Sequence, residues 1–331
     1  MRLILALALA LVLLSAPAAR ADWPFELGIG EQQPQMFDDP RFVALELEHV
    51  RFVTAYDVAC RPGADRASLD TWLAGARRTG TRPLVAFSFS AREGARWKLP
   101  SYRTFRRCFK AFRVRYPWVR DFNPWNEANH SSQPTFRHPK KAAGFYNAMR
   151  RACRKCNVAA GDLLDWDNIV RWYQRYRRHL RGRPRLWSIH NYIDVNRPRR
   201  WRTSGTRKLL GLTRAELWIT ETSGVVVSRR YSKYDERRAA RATRRMFDLA
   251  RRSPRITRLY SYQWQAPCDP YGWDSGWFRS NGSARPAWRV VVEEMARELR
   301  LSRAAIEALD PPLSPAMHDT CKGASSPTAV Q

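Results

Sequence analysis

Two short stretches of the sequence each place one glutamate at the end of an apolar run rich in aromatic residues. Glu127 ends the run FNPWNE that begins at Phe122, and Glu221 ends the run LWITE that begins at Leu217. Two carboxyl groups in one cleft can hydrolyse a glycosidic bond by the retaining route, in which one donates a proton to the leaving oxygen and the other attacks the anomeric carbon. Either glutamate alone could instead form a structural salt bridge. The predicted secondary structure around the two motifs therefore decides between a catalytic and a structural role.

Eight apolar runs of strand character alternate with amphipathic segments of helical spacing. The predicted strands cover residues 25–29, 50–55, 83–87, 119–125, 158–161, 186–190, 217–220 and 256–264, and the predicted helices cover 69–78, 102–116, 142–153, 169–180, 235–251 and 287–299. This alternation predicts an α/β fold, a single-domain (β/α)8 TIM barrel with its active site at the carboxyl ends of the strands. A doubly wound sheet is the alternative, but the first strand lacks the Gly-rich phosphate turn typical of that fold.

The two ends of the chain differ in composition from the predicted barrel, which we assign to residues 22–310. Residues 1–21 contain an apolar run too short to span a bilayer and end in a small-x-small sequence, so we interpret them as a signal peptide. The mature protein is then expected to be secreted, extracellular or in the cell envelope, with no membrane span. Residues 311–331 show little periodicity and are predicted to be a loosely structured tail.

Six cysteines, an even number in an exported chain, predict disulfide bonds. Cys153 and Cys156 are close enough in sequence to pair with each other. The other four allow the arrangement Cys60 with Cys108 and Cys268 with Cys321, although sequence alone leaves the connectivity open. A redox or zinc site at the Cys-x-x-Cys motif is disfavoured, because the chain has no second such pair.

The formal net charge of the chain is +29, with a sequence pI of about 10.9. Such a balance is typical of proteins that bind nucleic acid or a polyanionic surface. Here the excess is mostly arginine spread along the predicted helices, which favours a solvated outer surface, and we predict no specific nucleic-acid partner. Electrostatic attachment to an acidic cell wall or acidic polysaccharide is the alternative. We expect the protein to be a monomer.

In the order and spacing of these motifs, the sequence resembles the clan A glycoside hydrolases, which are retaining enzymes built on the (β/α)8 barrel. The resemblance extends over residues 25–299. It implies that Glu127 ends the fourth barrel strand as acid/base and that Glu221 ends the seventh as nucleophile. It also implies five substrate-binding residues around them, Arg51, Asn126, His190, Tyr192 and Trp264. No cofactor and no metal are needed for this chemistry.

Each of these residue types has a chemical reason to stand near the glutamates. Asn126 can hydrogen-bond the sugar hydroxyl beside the anomeric carbon, an interaction that strengthens in the transition state. Arg51 can stabilise the negative charge of Glu221, and Tyr192 can donate to the same carboxylate. His190 is expected to orient the substrate or the acid/base. An ordinary ion pair for the arginine and a buried core position for the histidine are the alternatives.

Aromatic side chains can stack on the apolar faces of sugar rings, and Trp264 at a strand end is the best placed of them. Four further tryptophans belong either to the core or to the substrate cleft, Trp97, Trp125, Trp273 and Trp277. Glu31 and Asp162 follow predicted strands and are either substrate contacts, supporting carboxylates or plain loop residues.

One departure from the clan pattern concerns the residue after the fourth-strand glutamate. The common motif is Asn-Glu-Pro, whereas Ala128 stands here in place of proline. Because of that change, the sequence does not determine which residues contact the leaving group, and hence which substrate is cleaved.

Taken together, these motifs predict an exported retaining glycoside hydrolase that cleaves O-glycosidic bonds in a polysaccharide or oligosaccharide, with its two carboxyl groups about 5 Å apart. A catalytically silent barrel that binds cell-wall or extracellular polysaccharide is the alternative.

Overall fold

A computed structural model describes residues 25–197, 200–229, 232–268 and 272–299. The predicted signal peptide and the predicted tail lie outside these residues. In the described part of the chain, nine strands form one sheet, β1 (Glu26–Gly30), β2 (His49–Ala55), β3 (Arg82–Ser88), β4 (Asp121–Asn123), β5 (Asn157–Val158), β6 (Ala160–Leu164), β7 (Leu186–His190), β8 (Glu216–Thr222) and β10 (Ile256–Tyr262).

The strand order in the sheet is β5-β4-β3-β2-β1-β10-β8-β7-β6, and every neighbouring pair is parallel. Only Ala159 separates β5 from β6, so these two short strands are halves of one barrel strand. Val158 pairs with Phe122 on one side, while Ala160 pairs with Trp187 on the other. The interrupted strand therefore closes the ring, and the predicted (β/α)8 barrel is confirmed.

The helices that follow the strands surround the sheet, and a two-stranded antiparallel pair lies apart from it. The helices are α1 (Pro40–Ala44), α2 (Ala64–Arg78), α3 (Tyr102–Arg115), α4 (Pro139–Ala152), α5 (Ile169–Arg177), α6 (Tyr192–Asn196), α7 (Gly205–Leu212), α8 (Glu236–Ala250) and α9 (Pro286–Leu299), and the pair is β9 (Val227–Ser228) with β11 (Trp273–Asp274). None of the helices in the described part is both long enough and apolar enough to cross a bilayer.

Aromatic packing between α3 and the barrel wall shows how the sequence builds this layer. The helix begins at its N-cap Ser101, whose side chain accepts from the Thr104 amide. Its Phe109 and Phe112 are buried at helical spacing and meet the Phe87 ring of β3 edge-on, at centroid distances of 6.2 and 5.3 Å. Because both faces of a parallel strand are covered, strands such as β3 read as nearly continuous apolar runs.

Several elements differ from the sequence prediction, and two of them show why. The fourth strand ends at Asn123, because the chain turns there and the Asn126 amide donates to the Phe87 carbonyl at 2.7 Å. The helix α7 was not predicted, since it is only eight residues long and contains Gly205 and Gly211, which are poor helix formers. Its first turn is fixed by tertiary contact, as the Asp194 carboxylate accepts from two of its backbone amides.

Two predicted disulfides are present, Cys60–Cys108 and Cys153–Cys156. The first joins a 3-10 turn after β2 to α3, and the second closes a short loop after α4. The predicted pairing of Cys268 with Cys321 lies outside the described residues, because Cys321 is not among them.

Removal of the two disulfides is expected to cost unequal amounts of stability. Loop-closure entropy grows with the number of residues enclosed, so Cys60→Ser/Cys108→Ser should lower the free energy of unfolding by about 4 kcal/mol and Cys153→Ser/Cys156→Ser by about 2 kcal/mol. The sequence separations are 48 and 3. Urea unfolding of both variants measures the difference, and equal losses would contradict the chain-entropy explanation.

Candidate active site

The two glutamates reach one cleft at the carboxyl ends of the strands. Glu221 is the second-last residue of β8, and Glu127 stands in the loop after β4. One carboxylate oxygen of each and a ring nitrogen of His190 all lie within 4.8 Å of one another. Side-chain exposures of 20% for Glu127 and 12% for Glu221 leave both open to the cleft.

Arg51 of β2 connects the strands beneath these carboxylates and is 1% exposed. Its Nη1 donates to Glu221 Oε2 at 2.5 Å, and its Nη2 donates to Asn126 Oδ1 at 2.6 Å. The same Nη2 reaches Asp162 Oδ2 at 3.2 Å. Burial alone would lower the pKa of Arg51, but the Glu221 and Asp162 carboxylates outweigh it and raise that pKa, so the guanidinium stays charged.

The second oxygen of Glu221 has its own donor, the hydroxyl of Tyr192, which lies 3.0 Å from Oε1. Burial and the nearby Glu221 charge hold the pKa of Tyr192 well above its ordinary value, so the phenol keeps its proton. Trp273 packs edge-on against the Tyr192 ring with 4.9 Å between centroids. The carboxylate plane of Glu221 is thus fixed by one donor on each oxygen.

His190 ends β7 and links Glu127 to Asp162, which is fully buried. Its Nδ1 lies 3.2 Å from Glu127 Oε1, and its Nε2 lies 3.2 Å from Asp162 Oδ1. Burial lowers the pKa of His190, but the Asp162 and Glu221 carboxylates outweigh burial and raise that pKa to about 10. Burial raises the pKa of Asp162, whereas the charges of His190 and Arg51 and the Thr220 hydroxyl at 2.6 Å bring it down to about 2.

The His190 charge is expected to make stability depend on pH in a defined window. The pKa of His190 is about 10 in the folded protein, against about 6.5 for an unfolded histidine. The protonated imidazole therefore contributes fully to the free energy of unfolding below pH 6.5, and this contribution is lost as the pH rises to 10. Thermal unfolding of the wild type and of His190→Asn across pH 6 to 10 checks this. The difference in stability should shrink steadily over that window, and a constant difference would show that the imidazole is neutral in the folded protein.

The loop that carries Glu127 is held without the proline of the clan motif. Glu127 adopts a left-handed backbone with φ of 48°. Asn129, which the sequence analysis did not single out, exchanges two hydrogen bonds with the Leu164 backbone at the end of β6. Its carbonyl also accepts from the side chain of Asn168. These contacts, between residues 35 and 39 positions apart in the sequence, tie the loop after β4 to the neighbouring strand.

Trp264 is placed differently from the expectation that it stacks on substrate. It is 2% exposed, and its indole N–H donates to Asp39 Oδ2 at 3.0 Å. Its ring packs against Phe42 and Phe278 at centroid distances of 5.8 and 4.8 Å. The chain after β10 folds back over the barrel wall and covers this ring, so it has no open face for a sugar.

Three other aromatic side chains border the cleft and remain partly exposed. Tyr262 ends β10, where burial and the charges of Glu31 and Glu221 raise its pKa. Trp166 was not among the predicted site residues. Its ring lies edge-on to the His130 ring, with 4.6 Å between the ring centroids. Trp166 and Trp273 both pack against the cluster formed by Leu164, Tyr192 and Val225.

The remaining tryptophans and Glu31 have structural surroundings. Trp125 and Trp277 are buried in the core, whereas Trp97 is 60% exposed in the loop after β3. The Glu31 carboxylate accepts from four backbone amides, those of Gln32, Gln33, Trp264 and Gln265. Burial raises the pKa of Glu31 to about 7, against the lowering effect of these amides. Glu31 therefore joins the ends of β1 and β10.

Two groups of side chains within the described residues have donor atoms close enough to hold a metal ion. One is Glu127 with His190 and Glu221, and the other is Glu26 with Glu48 and His49 at the opposite end of the barrel. In the first group Arg51 already contacts Glu221 and His190 at 2.5 and 3.1 Å. The guanidinium thus supplies a fixed positive charge to this set of donors.

Solved structures provide the comparison, since no protein-family model and no curated protein matches the chain. A family 39 glycoside hydrolase from Bacteroides cellulosilyticus matches with a TM-score of 0.61 and 14% identity, over 82% of this chain and 64% of that one. A monomeric beta-xylosidase from Caulobacter crescentus matches with 0.58 and 17%, over 82% and 68%. Xylanase 10B from Thermotoga maritima matches with 0.61 and 10%, over 84% and 97%.

The chain has the barrel fold of these glycoside hydrolases. At such identities the likeness extends to the architecture, and the activity has to be argued from the residues of the cleft. The chain spans about two thirds of the length of the first two of these proteins and nearly all of the xylanase.

Proposed function

We propose that the protein is a retaining glycoside hydrolase that cleaves O-glycosidic bonds in a polysaccharide or oligosaccharide. The observation that carries this proposal is the pair Glu127 and Glu221, whose carboxylate oxygens approach within 4.8 Å across one open cleft. Retaining enzymes use carboxyl groups about 5 Å apart, whereas inverting enzymes need about 6.5 to 9.5 Å to admit a water molecule.

Glu221 is the nucleophile in this proposal. Arg51 and Tyr192 hold its two oxygens and stabilise its negative charge, so that one lone pair can point at the anomeric carbon. Attack forms the bond from the carboxylate oxygen to that carbon while the bond to the leaving oxygen breaks. Asn126 has its carbonyl oxygen occupied by Arg51, which leaves its amide nitrogen free to donate to the neighbouring sugar hydroxyl.

Glu127 acts first as acid and then as base. His190 contacts its Oε1, so Oε2 is the oxygen that carries the proton to the leaving group. After this transfer Glu127 is a carboxylate, and it takes a proton from the water that attacks the glycosyl ester of Glu221. The second attack releases the sugar with its original configuration and restores both carboxyl groups.

Secretion is part of the proposal and is supported by two disulfides within the described residues. The predicted signal peptide at residues 1–21 would direct the export of the protein. N-terminal sequencing of the protein recovered from culture medium tests this part, and the expected first residue is Asp22. A protein retained in the cytoplasm with reduced cysteines would contradict it.

A screen of natural polysaccharides tests the proposed activity. The purified mature protein should release reducing ends from at least one glycan, with product sizes read by mass spectrometry. Proton NMR during the first minutes should show the product anomer with the configuration of the substrate. Initial release of the opposite anomer would overturn retention, and tight binding to a glycan with no turnover would favour a catalytically silent barrel.

A further inference from the structure

A cavity of about 310 Å³ lies beside α7 on the outside of the barrel, and its walls are basic. Arg202, Arg207, Lys208 and Gly211 line it. Arg202 belongs to the 3-10 turn Trp201–Thr203, while the other three residues belong to α7. Cations from two successive elements therefore border one space.

Within the part of the chain that the structure describes, no carboxylate forms an ion pair with the cations around this cavity. Elsewhere, by contrast, Arg115 pairs with Asp70 at 2.6 Å. The sequence explains the difference, because residues 195–215 contain no aspartate and no glutamate. Arg202 and Arg207 are exposed and Lys208 is half-buried, so an anion can approach all three from the solvent.

The donor set defines the ligand. Two guanidinium groups offer planar forks that bind carboxylate, sulfate or phosphate oxygens in pairs, and an ammonium group adds a compact charge. The volume lies at the lower end of the range for small-ligand sites, which suits one acidic unit of a chain. The formal net charge of +29 raises the local concentration of any polyanion around the molecule.

We propose that this cavity binds the oxyanion groups of an anionic polysaccharide at a site separate from the two glutamates. The cavity is connected to the cleft through the short helix α6 and the first turn of α7. Tyr192, the donor to Glu221, begins α6, and Asp194 of the same helix accepts from the Gly205 and Thr206 amides at the start of α7. The cavity and the Tyr192 donor to Glu221 are therefore joined through two successive helices that contact each other.

Charge-neutral variants with a matched control test the site. Arg202→Gln/Arg207→Gln/Lys208→Gln removes the lining cations, and Arg103→Gln/Arg107→Gln/Lys110→Gln removes the same charge from the exposed face of α3. Affinity for polygalacturonate, dextran sulfate and polyphosphate is measured by affinity electrophoresis with the full mature chain. The cavity variant should weaken binding of polygalacturonate or dextran sulfate by about tenfold or more, and the α3 variant by less than about twofold, whereas a loss confined to polyphosphate would overturn the proposal.

The three polymers show which oxyanion the cavity prefers, and duplex DNA serves as a further probe. Equal weakening by the two triple variants would overturn the proposal, because the attraction would then come from net charge alone. Binding of duplex DNA that equals that of the best polysaccharide and falls in parallel would also overturn it. Arg207→Glu serves as a second, single-site variant and should abolish the specific binding. Hydrolysis of a small neutral substrate should stay unchanged in all these variants, which separates this site from the proposed catalysis.

Discussion

Replacement of the two glutamates is expected to abolish or lower activity in two different ways. Glu221→Ala removes the nucleophile, so no glycosyl ester forms and kcat should fall by at least about 10⁴-fold on every substrate. Glu127→Ala removes proton transfer, which contributes about 10²- to 10⁴-fold for a poor leaving group. A substrate with a good leaving group, such as a dinitrophenyl glycoside, should still form the intermediate rapidly in Glu127→Ala.

Azide separates the two roles. In Glu127→Ala the intermediate waits for a base, and azide needs none, so it should restore turnover and give a glycosyl azide with the anomeric configuration of the substrate. In Glu221→Ala azide can only replace the nucleophile, which gives the inverted azide. The reverse pattern would exchange the assigned roles. Unchanged activity in both variants would refute the catalytic assignment.

Removal of the Arg51 guanidinium should damage both stability and activity. Arg51→Met leaves Asp162 buried beside one fewer positive charge, and breaking a buried ion pair on one side costs about 3 to 5 kcal/mol. Glu221 also loses the 2.5 Å contact that holds Oε2 in place. Because misplacement of a reacting group by about 1 Å costs about 10²-fold, kcat should fall by at least that factor under conditions where the variant is folded.

Arg258→Met is the matched control for this substitution. Arg258 is also buried and pairs with Asp121 at 2.6 Å, but it lies near the amino end of β10, away from the cleft. Urea unfolding should show a comparable loss of stability for both variants. Steady-state kinetics should show a loss of kcat only for Arg51→Met. A parallel loss of kcat in the control would mean that Arg51 acts through stability alone.

The strand-ending glutamates show how much of the site could be predicted from the sequence. Parallel strands carry their carboxyl ends to the same edge of a barrel, so the order of apolar runs predicted that Glu127 and Glu221 share one site. Arg51 and His190 were added by the resemblance to clan A glycoside hydrolases. The periodicity that defines those runs depends only on residues close together in the sequence, so it can be recognised without the tertiary structure. The barrel followed from the same periodicity, whereas the disulfides were predicted from the even number of cysteines and from the short spacing of Cys153 and Cys156.

The tertiary structure decided what depends on how the connecting segments pack. Trp264 stands at a strand end like the functional residues, yet the segment after it folds over its ring and leaves Tyr262 beside the cleft instead. The first turn of α7 has its own N-cap, Ser204, and is held further by Asp194 of α6, a contact that its glycine-containing sequence does not indicate. Local sequence determines which apolar runs become strands, whereas the end of a strand, the exposure of a side chain and the contacts that hold a helix terminus depend on how separate segments pack.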